Sequence, residues 1–207
     1  MPELVNGRPT PDTTATVAGE DWYGEELGSR TAENVEYVDL ELSESTSSGG
    51  LEFTECTFRS AQFSRSTHGG ALFANCLFVD CNFFGTTFAD CKFIGSTFTR
   101  CTFDRLTVTG GDWSFVSLAG ADLRSVTFEN VGMQEADLTG ARCGGATLRR
   151  VDLARAWLGR IDVAKADLRG SDLSALDPVS VNLHGAVVDW QQAVTLARNL
   201  GLDVRTD

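Results

Sequence analysis

Apolar residues recur at every fifth position along most of this chain. Stepping by five from Phe53 to Val188 visits twenty-eight positions, and all but His68 and Pro178 hold Phe, Leu, Val, Met, Trp or, once, Cys143. Eleven of the thirteen Phe fall in this register, which excludes chance. The residue two places earlier is small or apolar, as at Ala61, Ala71, Thr86, Ser96, Val116, Ala136 and Ala166. A period of five is neither 3.6 nor 2, so no regular helix or flat strand puts these residues on one face. A chain that turns a corner every five residues does, with one large and one small side chain per segment pointing to the axis. Four sides make a coil of twenty residues, and the pattern alone does not exclude three or five sides. Coils stacked as hydrogen-bonded strands rise roughly 4.8 Å each.

The pattern has interruptions, and they set the expected boundaries. His68 and Pro178 break the ladder. Leu40 and Phe53 are thirteen apart, three more than two repeats, with SESTSSGG at 43–50 between them. That stretch reads either as an exposed loop interrupting the coil or as a disordered boundary. Fragments such as EDW (20–22), EEL (25–27) and VDL (38–40) suggest further coils before it. After Val188 the period changes: Trp190, Ala193, Val194, Ala197 and Leu200 fall at helical spacing, with Asp189 as N-cap and Gly201 as the stop. The expected organisation is a flexible segment at 1–19, a solenoid at 20–188 with a register break at 43–50, a helix at 189–201 and a tail at 202–207.

Five of the six cysteines, Cys56, Cys76, Cys81, Cys91 and Cys101, occupy the small inward slot that Ala fills elsewhere, so they read as buried hydrophobes. Neither His68 nor His184 has a metal-ligand setting, and no cofactor or metal is expected. The GG pairs at 49, 69, 110 and 144 suit corners and need no phosphate to explain them. With two His and no nucleophile-base pairing, catalysis is not expected. No signal-like segment or membrane-length apolar run is visible, which leads us to expect a cytoplasmic protein.

The net charge of −12 disfavours DNA and anionic membranes as ligands and favours a basic partner. It is unevenly placed: residues 1–57 carry thirteen acids against two Arg, and residues 58–207 carry sixteen acids against fifteen bases.

Segments such as ADLRS (121–125), ADLTG (136–140), ADLRG (166–170), CTFRS (56–60) and CNFFG (81–85) resemble the A(D/N)LXX repeat of the pentapeptide-repeat family. The resemblance covers 53–188 and implies an all-β solenoid, a right-handed quadrilateral β-helix, here of seven coils and about 34 Å. HGAVVDWQQAV (184–194) is similar to the start of the C-terminal helix of MfpA-type members, which joins two rods end to end. By that resemblance Trp190, Ala193, Val194, Ala197 and Leu200 would form a homodimer contact, the alternative being a monomeric cap.

On a four-sided coil, residues twenty apart share a side. The side centred on Phe53, Phe73, Phe93 and Trp113 then carries Glu52, Glu55, Asp112, Glu135, Asp152 and Asp172 against Lys92 and Arg155. The side centred on Phe63 and Phe83 is mildly basic. Relatives of the Qnr and MfpA type bind DNA gyrase and topoisomerase IV in the place of duplex DNA. The resemblance therefore implies a gyrase-binding DNA mimic that protects against fluoroquinolones or a similar poison, with those six acids at the contact. Duplex DNA carries about twenty charges over 34 Å, so six is a thin stripe unless the acidic N-terminal segment folds along the same rod. Two alternatives stand beside this reading. Asp residues before a core Leu stabilise turns whatever the function, and the chain can be an acidic scaffold for some other basic protein. Trp157 reads as an outward residue packed on a neighbouring coil or as an interface anchor, and we favour packing.

Overall fold

Each five-residue segment forms one side of a coil, and in-register parallel pairing repeats from coil to coil. Phe53 pairs with Phe73, Phe58 with Phe78 and Phe78 with Phe98. The computed structural model describes residues 4–5 and 8–205, and it is a right-handed, four-sided parallel β-solenoid closed at one end by a helix, α1 (Trp190–Asn199). Calling the sides by their order after Phe53, the first, second and fourth carry sheets of three, five and six strands. The third is joined by isolated bridges such as Gln62 to Asn82.

The core is the predicted ladder. Phe58, Phe63, Phe78, Phe88 and Phe93 are at most 1% exposed. Along one side their rings stack nearly parallel, Phe58 on Phe78 at 4.9 Å and Phe78 on Phe98 at 4.7 Å. Between sides they meet edge-on, as Phe53 does Phe58 at 79°. Both arrangements suit the aromatic quadrupole. Most corner residues, two after a core position, take the left-handed conformation, for example Asn75 and Asp90 at φ 52°. The Asp before a core residue closes its own turn: Asp112 accepts from the Ser114 N–H, Asp137 from Thr139 and Asp172 from Ser174.

Two boundaries differ from expectation. The solenoid begins before residue 20, because Ala15–Ala18 pairs with Val35–Val38, and Pro9–Asp12 line a groove of about 480 Å³ against Glu55, Asn75, Leu77 and Thr97. The flexible reading of 1–19 therefore fails for the segment from Pro9 onward, whereas residues 1–3 and 6–7 lie outside the described residues. The stretch 43–50 is not an excluded loop either. Thr46–Ser47 pairs with Thr67 and His68, and Ser45 and Ser47 are buried. The offset between pairing partners is twenty residues at Glu26 with Thr46, twenty-one at Thr46 with Thr67 and twenty again at Glu52 with Leu72. One extra residue, absorbed where Gly49 and Gly50 take positive φ, accounts for the shift. Leu42, not Leu40, is the core residue here; Leu40 fills the small slot.

Serine at two inward positions disguised this coil, and hydrogen bonds explain why it is tolerated. The Ser45 hydroxyl donates to the Leu42 carbonyl at 2.7 Å. Ser47 Oγ lies 3.0 Å from His68 Nδ1, so His68 stays in the ladder, stacked on Phe88. Pro178, by contrast, does end the pairing on its side: the last bridge there joins Asp137 to Trp157.

Burial lowers the His68 pKa to about 4. The unfolded chain binds its proton nearer 6.5, so the contribution is complete above that value and is lost as pH falls toward 4, roughly 3 kcal/mol in all. A His68→Phe variant is expected to unfold in urea with a flatter pH dependence across that window. Ser47→Ala alone, which removes the partner of the imidazole, is expected to cost about 1–3 kcal/mol at pH 7.

The rod ends are covered differently. At the N-terminal end Trp22 is 7% exposed with the Arg30 guanidinium 4.1 Å from its ring centroid. Around it Asp21, Glu25 and Glu26 are exposed charges on an edge that would otherwise pair with another strand. At the other end α1 has the predicted N-cap: Asp189 accepts from the Gln192 N–H, and the Gln192 side chain returns a bond to the Asp189 N–H. Gln192 Nε2 also donates to the Leu168 and Ser171 carbonyls at 2.6 and 2.7 Å. Asn199 donates to the Leu176 carbonyl at 2.8 Å. These bonds satisfy strand-edge carbonyls of the last coil. The docking face of the helix is thus Gln192, Leu196 and Asn199.

Candidate partner-binding surface

The fold brings the six sequence-predicted acids to one side of the rod but not into one uniform stripe. The column before the core residues runs from Glu52 through Leu72, Lys92, Asp112 and Gly132 to Asp152. Asp172 belongs to the next coil, and Glu55 and Glu135 sit at the adjoining corner. Their surroundings divide them. Glu52 and Glu55 are exposed, and neither makes an ion pair among the described residues. Asp112, Asp152 and Asp172 are half-buried and hold their own turns; Asp152 also accepts from Gln134 Nε2 at 2.5 Å. Glu135 is neutralised by Arg155 at 2.8 Å, one coil above. Four of the six are therefore tied to structure.

Nearly equal numbers of acids and bases leave the C-terminal two thirds close to neutral, and ion pairs between coils or within one segment join some of them. Arg100 chelates Asp80 through two bonds of 2.7 Å, Arg124 and Arg142 share Asp122, and Arg150 pairs with Glu129. A hydrogen bond from the Arg169 guanidinium holds the Asp167 carboxyl at about 2. These exposed pairs contribute little stability each.

The N-terminal coils differ. Among the described residues only Glu25, Glu36 and Glu44 there have cationic partners, Arg30, Arg59 and Arg65. Glu20, Asp21, Glu26, Glu33, Asp39, Glu41, Glu52 and Glu55 have no cationic partner among the described residues, and they wrap all four sides. Sequence reasoning placed the acidity along one side because it lacked the register of these coils. The signal that finds it is the count of thirteen acids against two Arg in the first fifty-seven residues.

The predicted dimer residues lie together on the outward face of α1. Trp190 is 72% and Leu200 53% exposed, Ala193 is exposed, and Val194 and Ala197 are half-buried. Gln192, Leu196 and Asn199 face the rod on the opposite side of the helix. Trp157 is 65% exposed, so the packing expected for it is not found.

Among the described residues no group of three or more His, Cys, Asp or Glu is placed to hold a metal ion, and no helix is long and apolar enough to cross a membrane. Cys56, Cys76, Cys81 and Cys91 are buried as expected of small core residues, and Cys101 is half-buried.

Residues 81–158 match the family model described as a pentapeptide repeat region. No curated protein matches the chain. Among solved structures, a trypsin-treated variant of QnrB1, a plasmid-mediated fluoroquinolone resistance protein, is similar over 93% of this chain and 96% of its own, with a TM-score of 0.56 and 21% identity. A second trypsin-treated QnrB1 variant gives a TM-score of 0.52 at 21% identity, over 92% of this chain and 100% of its own. HetL, a pentapeptide repeat protein of a Nostoc cyanobacterium involved in heterocyst differentiation regulation, aligns with 84% of this chain and 83% of its own at 20% identity and a TM-score of 0.44.

Proposed function

We propose that this pentapeptide-repeat protein acts without catalysis, by binding DNA gyrase where duplex DNA would lie and so protecting the enzyme from fluoroquinolones or a similar poison. The observation that carries the reading is charge density. Among the described residues, eight carboxylates without a cationic partner occupy residues 20–55, less than two coils and roughly 10 Å of rise; Glu20, Asp21 and Glu41 among them also accept a hydrogen bond from Trp22 Nε1, the Tyr23 N–H and the Ser43 N–H. Duplex DNA presents about six charges over that length. The shared fold with a fluoroquinolone resistance protein supports the same reading. The contact then centres on the N-terminal coils, with Glu33, Glu52 and Glu55 its most available carboxylates on the first side. Asp112, Glu135, Asp152 and Asp172 extend it more weakly, since each is already engaged.

The outward apolar face of α1 favours a homodimer, with Trp190, Ala193, Val194, Ala197 and Leu200 meeting their counterparts and the two acidic ends facing away from the junction. An acidic scaffold for a different basic protein is the second reading. It is favoured by the near-neutral C-terminal two thirds, where a DNA mimic would be expected to continue its charge.

The two readings separate in a binding titration against purified gyrase. A triple Glu33→Lys, Glu52→Lys, Glu55→Lys variant is expected to bind roughly ten- to a hundred-fold more weakly, an effect of about 1.4–2.8 kcal/mol, with its urea midpoint little changed. Reversing Asp112, Asp152 and Asp172 instead is expected to cost stability as well, since each loses a charge-assisted bond. The wild-type complex should weaken steeply with salt and be displaced by duplex DNA. Gyrase binding that is indifferent to both would transfer the acidic surface to another partner.

A further inference from the structure

Cysteines stand one above another at two corners of the rod. Cys56 and Cys76 form one stacked pair and Cys81 and Cys101 the other, each twenty residues and one coil apart. The register is fixed by the bonds beside them: the Leu77 N–H donates to the Cys56 carbonyl and the Thr102 N–H to the Cys81 carbonyl, both at 2.9 Å. All four thiols have the same pose, each donating to a carbonyl of the coil below. Cys81 Sγ lies 3.3 Å from the Phe58 oxygen and Cys101 Sγ 3.5 Å from that of Phe78. Cys91 and Cys143 have no cysteine above or below, since residues 71 and 111, and 123 and 163, are not Cys.

A one-coil rise of roughly 4.8 Å places the paired Cα atoms inside the usual disulfide range of about 4.4–6.8 Å. In-register β-carbons at that spacing are slightly wider apart than a relaxed disulfide prefers, about 3.8 Å, so a bond here forms under strain. Strained disulfides are the readily reduced ones. Access distinguishes the pairs. Cys56 and Cys76 are 0% and 2% exposed, although Cys76 lies under the groove beside Pro9–Asp12, whereas Cys101 is half-buried and itself reaches the surface depression formed with Ala119, Gly120 and Ala121. Immediately beside it the Arg100–Asp80 chelate joins the same two coils and holds them in register. Burial pushes the Cys81 thiol well up, which leaves it the less ready of the two to attack first. Cys101 is therefore the thiol that meets an oxidant, and Cys81 is the one that resolves the adduct.

We infer that Cys81 and Cys101 are a reversible redox pair that staples two coils when a disulfide oxidant such as glutathione disulfide is present. The Cys101 thiolate attacks one sulfur of the oxidant, forming a mixed disulfide and releasing one glutathione thiolate. Cys81 loses its proton and displaces the second glutathione, forming the Cys81–Cys101 bond. Two protein thiols are oxidised, and one disulfide is reduced to two thiols.

The test uses the full-length protein and glutathione disulfide as the probe, with remaining thiols alkylated before digestion and mass mapping. The expected result is loss of two of the six alkylatable cysteines, a joined peptide pair containing Cys81 and Cys101, and full return of both thiols with dithiothreitol. In Cys101→Ser no thiol should be lost on the same timescale, and in Cys81→Ala the reaction should stop at a glutathione adduct on Cys101. Three outcomes in the wild type would overturn the inference: six thiols still alkylatable, Cys101 arrested as the glutathione adduct, or Cys56 and Cys76 joined first.

Discussion

Replacing Gly111 with alanine is expected to lower stability by about 3 kcal/mol or more, the largest effect of any single methyl group on this rod. Gly111 occupies the small inward slot two before Trp113, the bulkiest core side chain. Its φ is +84°, and a β-carbon there would stand 2.0 Å from the Cys91 carbonyl oxygen and 2.8 Å from the Cys91 nitrogen. Those are backbone atoms of the coil below, so no side-chain rotation relieves the overlap. The coils must separate, and the Asp112 N–H bond to the Cys91 carbonyl is lost with the contact. Gly140→Ala is the control. Its φ is +67° with nothing within 4 Å, so it carries only the left-handed penalty of roughly 1–2 kcal/mol. Urea midpoints of the two variants check this. Equal losses would mean that conformation alone, and not the approach of neighbouring coils, sets the cost.

Glutamate placed on the outward face of α1 is expected to halve the mass of the particle in solution. The Val194→Glu, Ala197→Glu double variant leaves Gln192, Leu196 and Asn199 on their rod contacts, so the cap and the fold persist. Sedimentation should move from about twice 22.3 kDa to 22.3 kDa. The complementary change, Gln192→Ala, strips donors from the Leu168 and Ser171 carbonyls and is expected to cost about 1–3 kcal/mol by leaving them unsatisfied. A wild-type particle already at the monomer mass would make α1 a cap alone, and the exposed Trp190 would need another occupant.

Much of this was legible because the fold repeats a short rule. A large apolar residue every five positions, with a small one two before it, defines the inward points of a coil, and Phe58, Phe78 and Phe98 obey it without exception. Reading failed where polar groups entered the interior. Ser45 and Ser47 look like loop residues by composition, yet each hydroxyl finds a partner in the core, and His68 is retained by the second of them. With those coils out of register, the five-residue pattern points to Leu40 where the core residue is Leu42, and it starts the solenoid too late. The helix was visible from its period and cap, but its rod-facing side was not, because Gln192 and Asn199 bind carbonyls rather than apolar surface. The candidate surface was half legible. Acid counts locate it near the N-terminus, whereas ion pairing between residues twenty and twenty-one apart, as in Glu135 with Arg155 and Glu44 with Arg65, decides which carboxylates stay available. Trp157 followed neither rule, and nothing in the fold accounts for its exposure.

The most direct test of the central claim is a gyrase assay with the purified protein, scored for supercoiling and for fluoroquinolone-stabilised DNA cleavage. The wild type should reduce drug-stabilised cleavage or inhibit supercoiling at concentrations where an unrelated acidic protein does neither, and the Glu33→Lys, Glu52→Lys, Glu55→Lys variant should lose that effect. Unchanged supercoiling and unchanged cleavage at saturating protein would contradict gyrase recognition and leave an acidic rod built for another basic partner.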